Sequence, residues 1–359
     1  MATPILPNEK RQPTIHETVK DLQGYFQSNE SNIMMTLLLG IFAQDNPANI
    51  ANQIELMTGV NRNQLLLNMH STEIMQPMNS RAINSKGDVV LTGSTIEPDM
   101  WKVDNLLDYT TIWEKYTRAL TLQQNGLVPG SQNPLELHEL IIQQMREQIA
   151  HDMRKVIWTG DKALANTSAD AITNGFLKKF KEAATASKLT PKAITGITSA
   201  NIFAKILTLV NSLGTMWRRQ PDTIVLVASD VWEKLTEAAA GNSTSLLFQF
   251  NNPNRDQIFN HVMSIPLPQY PNIKIYEEPY LPVGAMVATV KRNLICGVDT
   301  ASAPLDATQY GANPREILVY GQGMLGVGVR QFDAPSGSAL QTAFVSVSYT
   351  HLTLPTNRE

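Results

Sequence analysis

Asn133-Pro-Leu-Glu-Leu-His-Glu-Leu-Ile-Ile-Gln-Gln-Met-Arg-Glu-Gln-Ile-Ala-His-Asp-Met-Arg-Lys-Val-Ile157 is the stretch on which the fold turns. Asn133 suits an N-cap, Pro134 fits the first helical position, and Glu136 at N3 completes the cap. Leu137, Ile141, Met145, Ile149, Met153 and Ile157 recur every fourth residue, and Leu140 and Val156 widen the stripe. A strict four-residue row drifts about 40° per step on a 3.6-residue helix, so the apolar face winds around the axis. Such a helix meets different neighbours along its length. Glu136 and Glu139 near its start, and Arg154 and Lys155 near its end, suit the helix dipole. A stop is expected near Gly160.

Downstream, 161–174 reads as a polar loop. Ser199 can cap a helix carrying Ile202, Phe203, Ile206, Leu209, Val210 and Leu213, ended by Gly214. Thr223–Ala228 is a buried strand, and Ser229 or Asp230 caps a helix with Val231, Trp232 and Leu235. Residues 241–271 are rich in loop signals. Strand patterns then follow at 273–276, 285–290, 294–298, 317–320, 325–332 and 343–348. Upstream, residues 1–31 hold Pro4, Pro7 and Pro13 and read as an extended arm, with a short amphipathic helix at Thr14–Gln23. The pattern from Asn32 to Gly59 is helical, with a break at Asn46-Pro47 and a stop at Gly59. Residues 69–100 read as a long exposed hairpin or loop, with a strand at Val89-Val-Leu and a turn at Glu97-Pro98-Asp99. There is no internal repeat, and the class is α+β.

The chain has 359 residues, 43% hydrophobic and 17% charged, with formal net charge −3. That charge excludes a basic nucleic-acid binder, and the composition excludes collagen-like or wholly disordered chains. Low charge with ordinary apolar content marks a surface that meets protein rather than water. Cys296 is the single cysteine, which excludes an intrachain disulfide framework and a Cys-cluster zinc site. No apolar run reaches about 18 residues, and Ile33–Phe42 lies too far from Met1 to be a signal peptide. The expectation is a soluble, reduced, cytoplasmic protein.

The candidate chemistry is thin. Gly321-Gln-Gly-Met-Leu-Gly326 matches the dinucleotide fingerprint, but phosphate binding needs a helix to open there. Val327-Gly-Val-Arg-Gln-Phe332 reads as strand, so the glycines read as a kinked strand. His16, His70, His138, His151, His261 and His351 lack zinc-ligand spacing, and no metal site is expected. Cys296 lies in an apolar strand and reads as core. Arg218-Arg219 reads as a solvated or interface pair, and Glu277-Glu278 as an ordinary surface pair. No catalytic set and no cofactor motif is present, and the chain is expected not to be an enzyme.

The order of these elements resembles the major capsid proteins of tailed bacteriophages, the HK97-type shell fold, over most of residues 15–346. Trp158-Thr-Gly-Asp161, Asn174-Gly175-Phe-Leu, the run Leu213–Leu226, and Ile273-Lys-Ile-Tyr-Glu-Glu-Pro-Tyr-Leu-Pro282 with 285–290 and 293–299 carry the likeness. The resemblance implies an N-terminal arm and helix (1–60) and an extended E-loop hairpin (61–110). A P-domain (111–174) with spine helix 134–157 and a β layer follows, then an A-domain with return strands (175–335) and a final strand (336–346). It implies a structural subunit of an icosahedral head enclosing double-stranded DNA, without cofactor. Assembly contacts fall to Arg81, Lys86, Asp88 and Trp101 in the E-loop and to Trp217, Arg218 and Arg219 in the A-domain.

Partners implied are the chain itself in pentamers and hexamers, a separate scaffold, a portal, a maturation protease, and packaged DNA touched without sequence preference, but no membrane. The location implied is the virion capsid, assembled in the bacterial host cytoplasm. Some members crosslink through an E-loop lysine. Lys86 and Lys102 lie there, but no acceptor is evident and no crosslink is expected. An encapsulin-like nanocompartment shell is the alternative. An α+β ligand-binding protein would need a convergent polar pocket the sequence does not offer. Val347-Ser-Tyr-Thr-His-Leu-Thr-Leu-Pro-Thr356 resembles the translation of a transposase sequencing adapter, so 347–359 is expected to be read-through.

Overall fold

A computed structural model of the chain describes residues 53–71, 89–108, 114–115, 137–165, 168–241, 265–267, 269–299, 305–309, 316–332 and 343–345. In chain order these form β1 (Glu55–Thr58), β2 (Gln64–Ser71), β3 (Val89–Ile96), β4 (Asp99–Asp108), α1 (Leu137–Thr159), α2 (Phe176–Thr185), α3 (Ile202–Asn211), α4 (Thr215–Arg218), β5 (Thr223–Val227) and α5 (Ser229–Gly241). Then follow β6 (Ile265–Leu267), β7 (Tyr270–Glu277), β8 (Met286–Val290), β9 (Leu294–Asp299), β10 (Leu305–Gln309), β11 (Glu316–Val329) and β12 (Ala343–Val345). Two compact units emerge, one of Met1–Gly40, Met100–His151 and Asp299–Met324, the other of Ile41–Asp99, Asp152–Val298 and Leu325–Glu359. The division falls inside α1, whereas the sequence reading keeps that helix whole within 111–174.

In the first unit, β10 pairs antiparallel with β11, and β4 also pairs β11. Ile141, Met145 and Ile149 of α1 are buried there. The four-residue row therefore becomes the packed face, and it continues in the second unit with Met153, Val156 and Ile157. Asn133, Pro134 and Glu136 lie outside the described residues, as do the helix at 14–23 and most of 32–59.

In the second unit a five-stranded sheet runs β12-β8-β5-β7-β6, with β5 parallel to β7 and antiparallel to β8. All five residues of β5 are buried, Thr223 included, as the apolar run Ile224–Val227 predicts for a central strand. Val225, Val227, Ile273, Ile275, Met286 and Ala288 share one core with Ile202, Ile206, Leu209 and Val210 of α3 and with Val231, Leu235 and Ala238 of α5. A helical layer thus covers one face of this sheet.

Several expectations need correcting. Glu55–Thr58 is a strand, not the end of a helix, paired in parallel with Ile295–Val298 of β9. Glycine at 59 takes the positive φ of +76° that turns the chain away. Asn201 rather than Ser199 holds the N-cap position of α3, but its side chain makes no bond to the helix. Its carboxamide instead braces the preceding loop, accepting the Thr198 N–H at 2.9 Å and donating to Gly196 O at 2.8 Å. Helix α3 closes at Asn211, and Gly214 caps α4 instead. Neither Ser229 nor Asp230 caps α5, since the Trp232 N–H reaches back to Ala228 O. Asp230 instead accepts the Gly284 N–H at 2.8 Å and so holds the β7–β8 turn. Helix α2 went unread, and 317–320 and 325–332 are one continuous strand, β11, from residue 316 to residue 329.

Helix α1 stops where the chain needs glycine. A Cβ on Gly160 would lie 2.2 Å from Thr173 O, and one on Gly175 would lie 2.7 Å from Trp158 O. The Gly175 N–H donates to Gly160 O at 2.8 Å, and the Asp161 N–H donates to Asp170 O at 2.7 Å. Behind this clasp Trp158, Phe176, Phe180 and Phe332 form a row, with ring centroids 5.1, 6.3 and 6.1 Å apart and the successive pairs tilted, stacked and edge-to-face. The four rings tie the helix end, α2 and the end of the β11 segment together.

Candidate functional site

Hairpin β2–β3 is in register from Gln64↔Ile96 to Ser71↔Val89. Side chains alternate across it. Leu66 and Ile96 point inward and join Val60 and Ile295 in a small core. Leu65, Leu67 and Leu91 point outward, 55%, 62% and 59% exposed. Gly93 lies opposite Leu67 and leaves room for Leu65 Cδ1, which would be 2.9 Å from an added Cβ. Three exposed leucines on one short ribbon form an apolar face that a monomer in water would not need.

The glycines of β11 explain themselves here. A Cβ on Gly326 would lie 2.7 Å from Ile96 Cγ2, and one on Gly328 would lie 2.5 Å from Ile96 Cγ1. Ser94 Oγ donates to Val329 O at 2.6 Å. In the other unit, a Cβ on Gly323 would lie 2.6 Å from Trp101 Cζ2. Gly321–Gly326 lies within one continuous strand, β11, as the strand reading of the run expects. The absent side chains of Gly323 and Gly326 leave the space that Trp101 and Ile96 fill. Trp101, expected at an assembly contact, is buried, at 6% exposure.

The joint between α1 and the β7–β8 turn is a buried ion pair. Arg154 Nη2 donates to Glu278 Oε2 at 3.0 Å, with the two side chains 10% and 0% exposed. The guanidinium lies 6.0 Å from the centroid of the Tyr280 ring. Burial pushes the Glu278 carboxyl above its ordinary value, while Arg154, the Tyr280 N–H and Trp158 pull the other way. Glu278 is therefore not a surface residue, and Arg154 serves this carboxylate rather than the helix dipole. Glu277 lies next to it, half-buried, its carbonyl accepting from Gln53 Nε2 at 3.3 Å. Cys296 is fully buried, and burial pushes its thiol up to about 12.

Arg218 is spent on its own fold. Its Nε donates to Leu213 O at 3.0 Å, and its Nη1 to Asn211 Oδ1 at 3.0 Å and Tyr270 Oη at 3.3 Å. Trp217 packs half-buried against the core under the five-stranded sheet. Arg219 is exposed. Arg81, Lys86 and Asp88 lie outside the described residues. Lys102 is exposed and paired with Asp104 at 2.5 Å. His151 is exposed on α1. Among the described residues no three His, Cys, Asp or Glu side chains gather as metal ligands, and no helix is long and apolar enough to cross a membrane.

A two-stranded hairpin, a long helix and two five-stranded mixed sheets, one of them backed by helices, make up an α+β fold of the HK97 shell type. Among solved structures it is similar to one from the satellite phage P4 procapsid including size determination (Sid) protein. That likeness has a TM-score of 0.53 at 15% identity, over 87% of this chain and 98% of that one. Similarity extends to the capsid of a native GTA particle, at a TM-score of 0.49 and 12% identity over 85% and 91% of the two chains. The capsid of Myoviridae phage XM1 follows at 0.48 and 12%, over 84% and 92%. No family model matches the sequence, and no curated protein matches it either.

Proposed function

We propose that this chain is the structural shell subunit of a tailed phage or prophage head, assembling with copies of itself around double-stranded DNA and catalysing nothing. The observation that carries the reading is the hairpin β2–β3. It projects three exposed leucines from a root that is locked into β9 and β11 by glycine sockets. A rigid root with an apolar outer face is what a subunit needs to overlap its neighbour. Covering Leu65, Leu67 and Leu91 would contribute roughly 1 kcal/mol each, since they are a little over half exposed. Repeated around a closed shell, that small term becomes decisive.

The fold shared with a phage procapsid protein supports the same reading. Pentamers and hexamers, a separate scaffold, a portal, a maturation protease and loosely held DNA follow as partners. Assembly in the host cytoplasm and residence in the virion follow as location. Expression of the full chain, alone and with scaffold candidates from neighbouring genes, tests it. Closed particles in negative-stain micrographs are expected. A chain that stays monomeric under every such condition overturns the proposal.

A further inference from the structure

Two flanks of the five-stranded module carry opposite charge. Along β7, Ile273 and Ile275 are buried against α3 and α5, and the exposed Lys274 between them points to the opposite face of the sheet. On α5, Val231, Leu235 and Ala238 face the sheet, so the exposed Glu233 and Glu237 point away from it. The basic and acidic residues therefore lie on opposite sides of one module.

The basic flank gathers at one end of the sheet. Lys274 pairs with Ile224, and the Lys291 N–H donates to Asp222 O at 2.9 Å. Asn272 Nδ2 donates to the carbonyls of Arg218 and Gln220 at 3.1 and 2.9 Å, and Arg292 Nη2 donates to Gln220 Oε1 at 2.8 Å. Those bonds bring the segments that carry Arg219, Lys274, Lys291 and Arg292 together, with Asp222 among them. Among the described residues, the side chains of Arg219, Lys274 and Lys291 bond to no other residue. On the acidic flank, Lys234 is engaged by Asp230 at 3.6 Å, leaving Glu233 and Glu237 as like charges four residues apart on a helix. That spacing is mildly destabilising within one molecule, so each flank gains from a partner of opposite sign.

We propose that neighbouring copies of this chain meet flank to flank, the Arg219–Lys274–Lys291 face of one copy against the Glu233–Glu237 face of the next. Two different complementary patches make a head-to-tail contact, and head-to-tail contacts form rings where the rotation between copies closes. This rests on the shell-subunit reading and supplies the orienting contact within its rings. A basic face aimed at DNA would leave the acidic flank without a role.

The test uses the full chain under its shell-forming conditions. R219E/K274E and E233K/E237K should each raise the subunit concentration at which shells appear by about tenfold, since each turns two attractions into repulsions. The quadruple variant restores complementarity and should return to within about threefold of the parent. All three should keep the circular dichroism and melting of the parent subunit. Doubles that assemble like the parent, or a folded quadruple variant without recovery, overturn the proposal. So does an R219E/K274E shell that forms normally but retains less DNA, which would turn this face toward nucleic acid. Parent shells that form while ignoring these reversals sink only the flank pairing. A parent chain that never forms shells sinks the shell reading itself.

Discussion

Replacing Arg154 with methionine keeps the aliphatic stem and removes the guanidinium 3.0 Å from Glu278. Glu278 is fully buried, so the substitution strands a carboxylate in the interior, which costs about 3–5 kcal/mol. Losing the cation above the Tyr280 ring adds about 0.5–1 kcal/mol. The loss must depend on pH. Burial already holds the Glu278 carboxyl above its ordinary value of 4.5, and without Arg154 it rises further. With the folded value above the unfolded one, proton binding favours the fold. That contribution is full below the unfolded value and is lost as pH rises through the folded value. The deficit of R154M should therefore be small near about pH 5 and grow toward about pH 8, by at most about 1.4 kcal/mol per pH unit. Urea unfolding of unassembled subunits, followed by tryptophan fluorescence with Trp158 beside the pair, reads both quantities. R154M/E278L, which removes both charges, should recover most of the loss. A deficit below about 1 kcal/mol, or one equal at both pH values, refutes the buried-pair account.

G160A and G175A should each cost at least about 3 kcal/mol and strip soluble protein from expression, because the new Cβ meets backbone carbonyls at 2.2 and 2.7 Å. G59A, with open space but a φ of +76°, should cost only about 1 kcal/mol in urea unfolding. Native protein should leave Cys296 unlabelled by iodoacetamide at about pH 8, since its thiol titrates near 12, and urea should expose it to full labelling. L65S/L67S/L91S should melt within about 1 kcal/mol of the parent subunit yet fail to form shells, as sedimentation will show.

Local pattern made some elements legible. The row from Leu137 to Ile157 is a helix because apolar residues at that spacing have no other way to share a face, and all the described members of the row from Ile141 onward are buried. β5 reads as a central strand because the consecutive apolar residues Ile224–Val227 need cover on both faces. A hairpin or loop at 69–100 was legible in outline, but the strand at 64–71 and which of its leucines point outward follow only from the register.

Other features carry no local signal. Arg154 looks the same in sequence whether it is solvated or buried, and its partner lies 124 residues away. Glu55–Thr58 keeps a helix-compatible pattern and becomes a strand because β9 offers it a parallel edge. The Gly321–Gly326 run resembles a phosphate loop until Trp101 and Ile96 occupy the space its glycines leave.

The sequence alone determined the α+β class, a helix read at 134–157, a buried strand read at 223–228, the core position of Cys296 and the resemblance to a shell subunit. These depend on side-chain periods of 3.6 and 2, which adjacent residues enforce on one another. Tertiary structure alone decided the Arg154–Glu278 joint, the glycine sockets under the hairpin, and the opposition of the Lys274 and Glu233–Glu237 flanks. Each arises where segments distant in the chain are brought together, and long-range pairing is set by the competition of every surface for burial rather than by any one stretch.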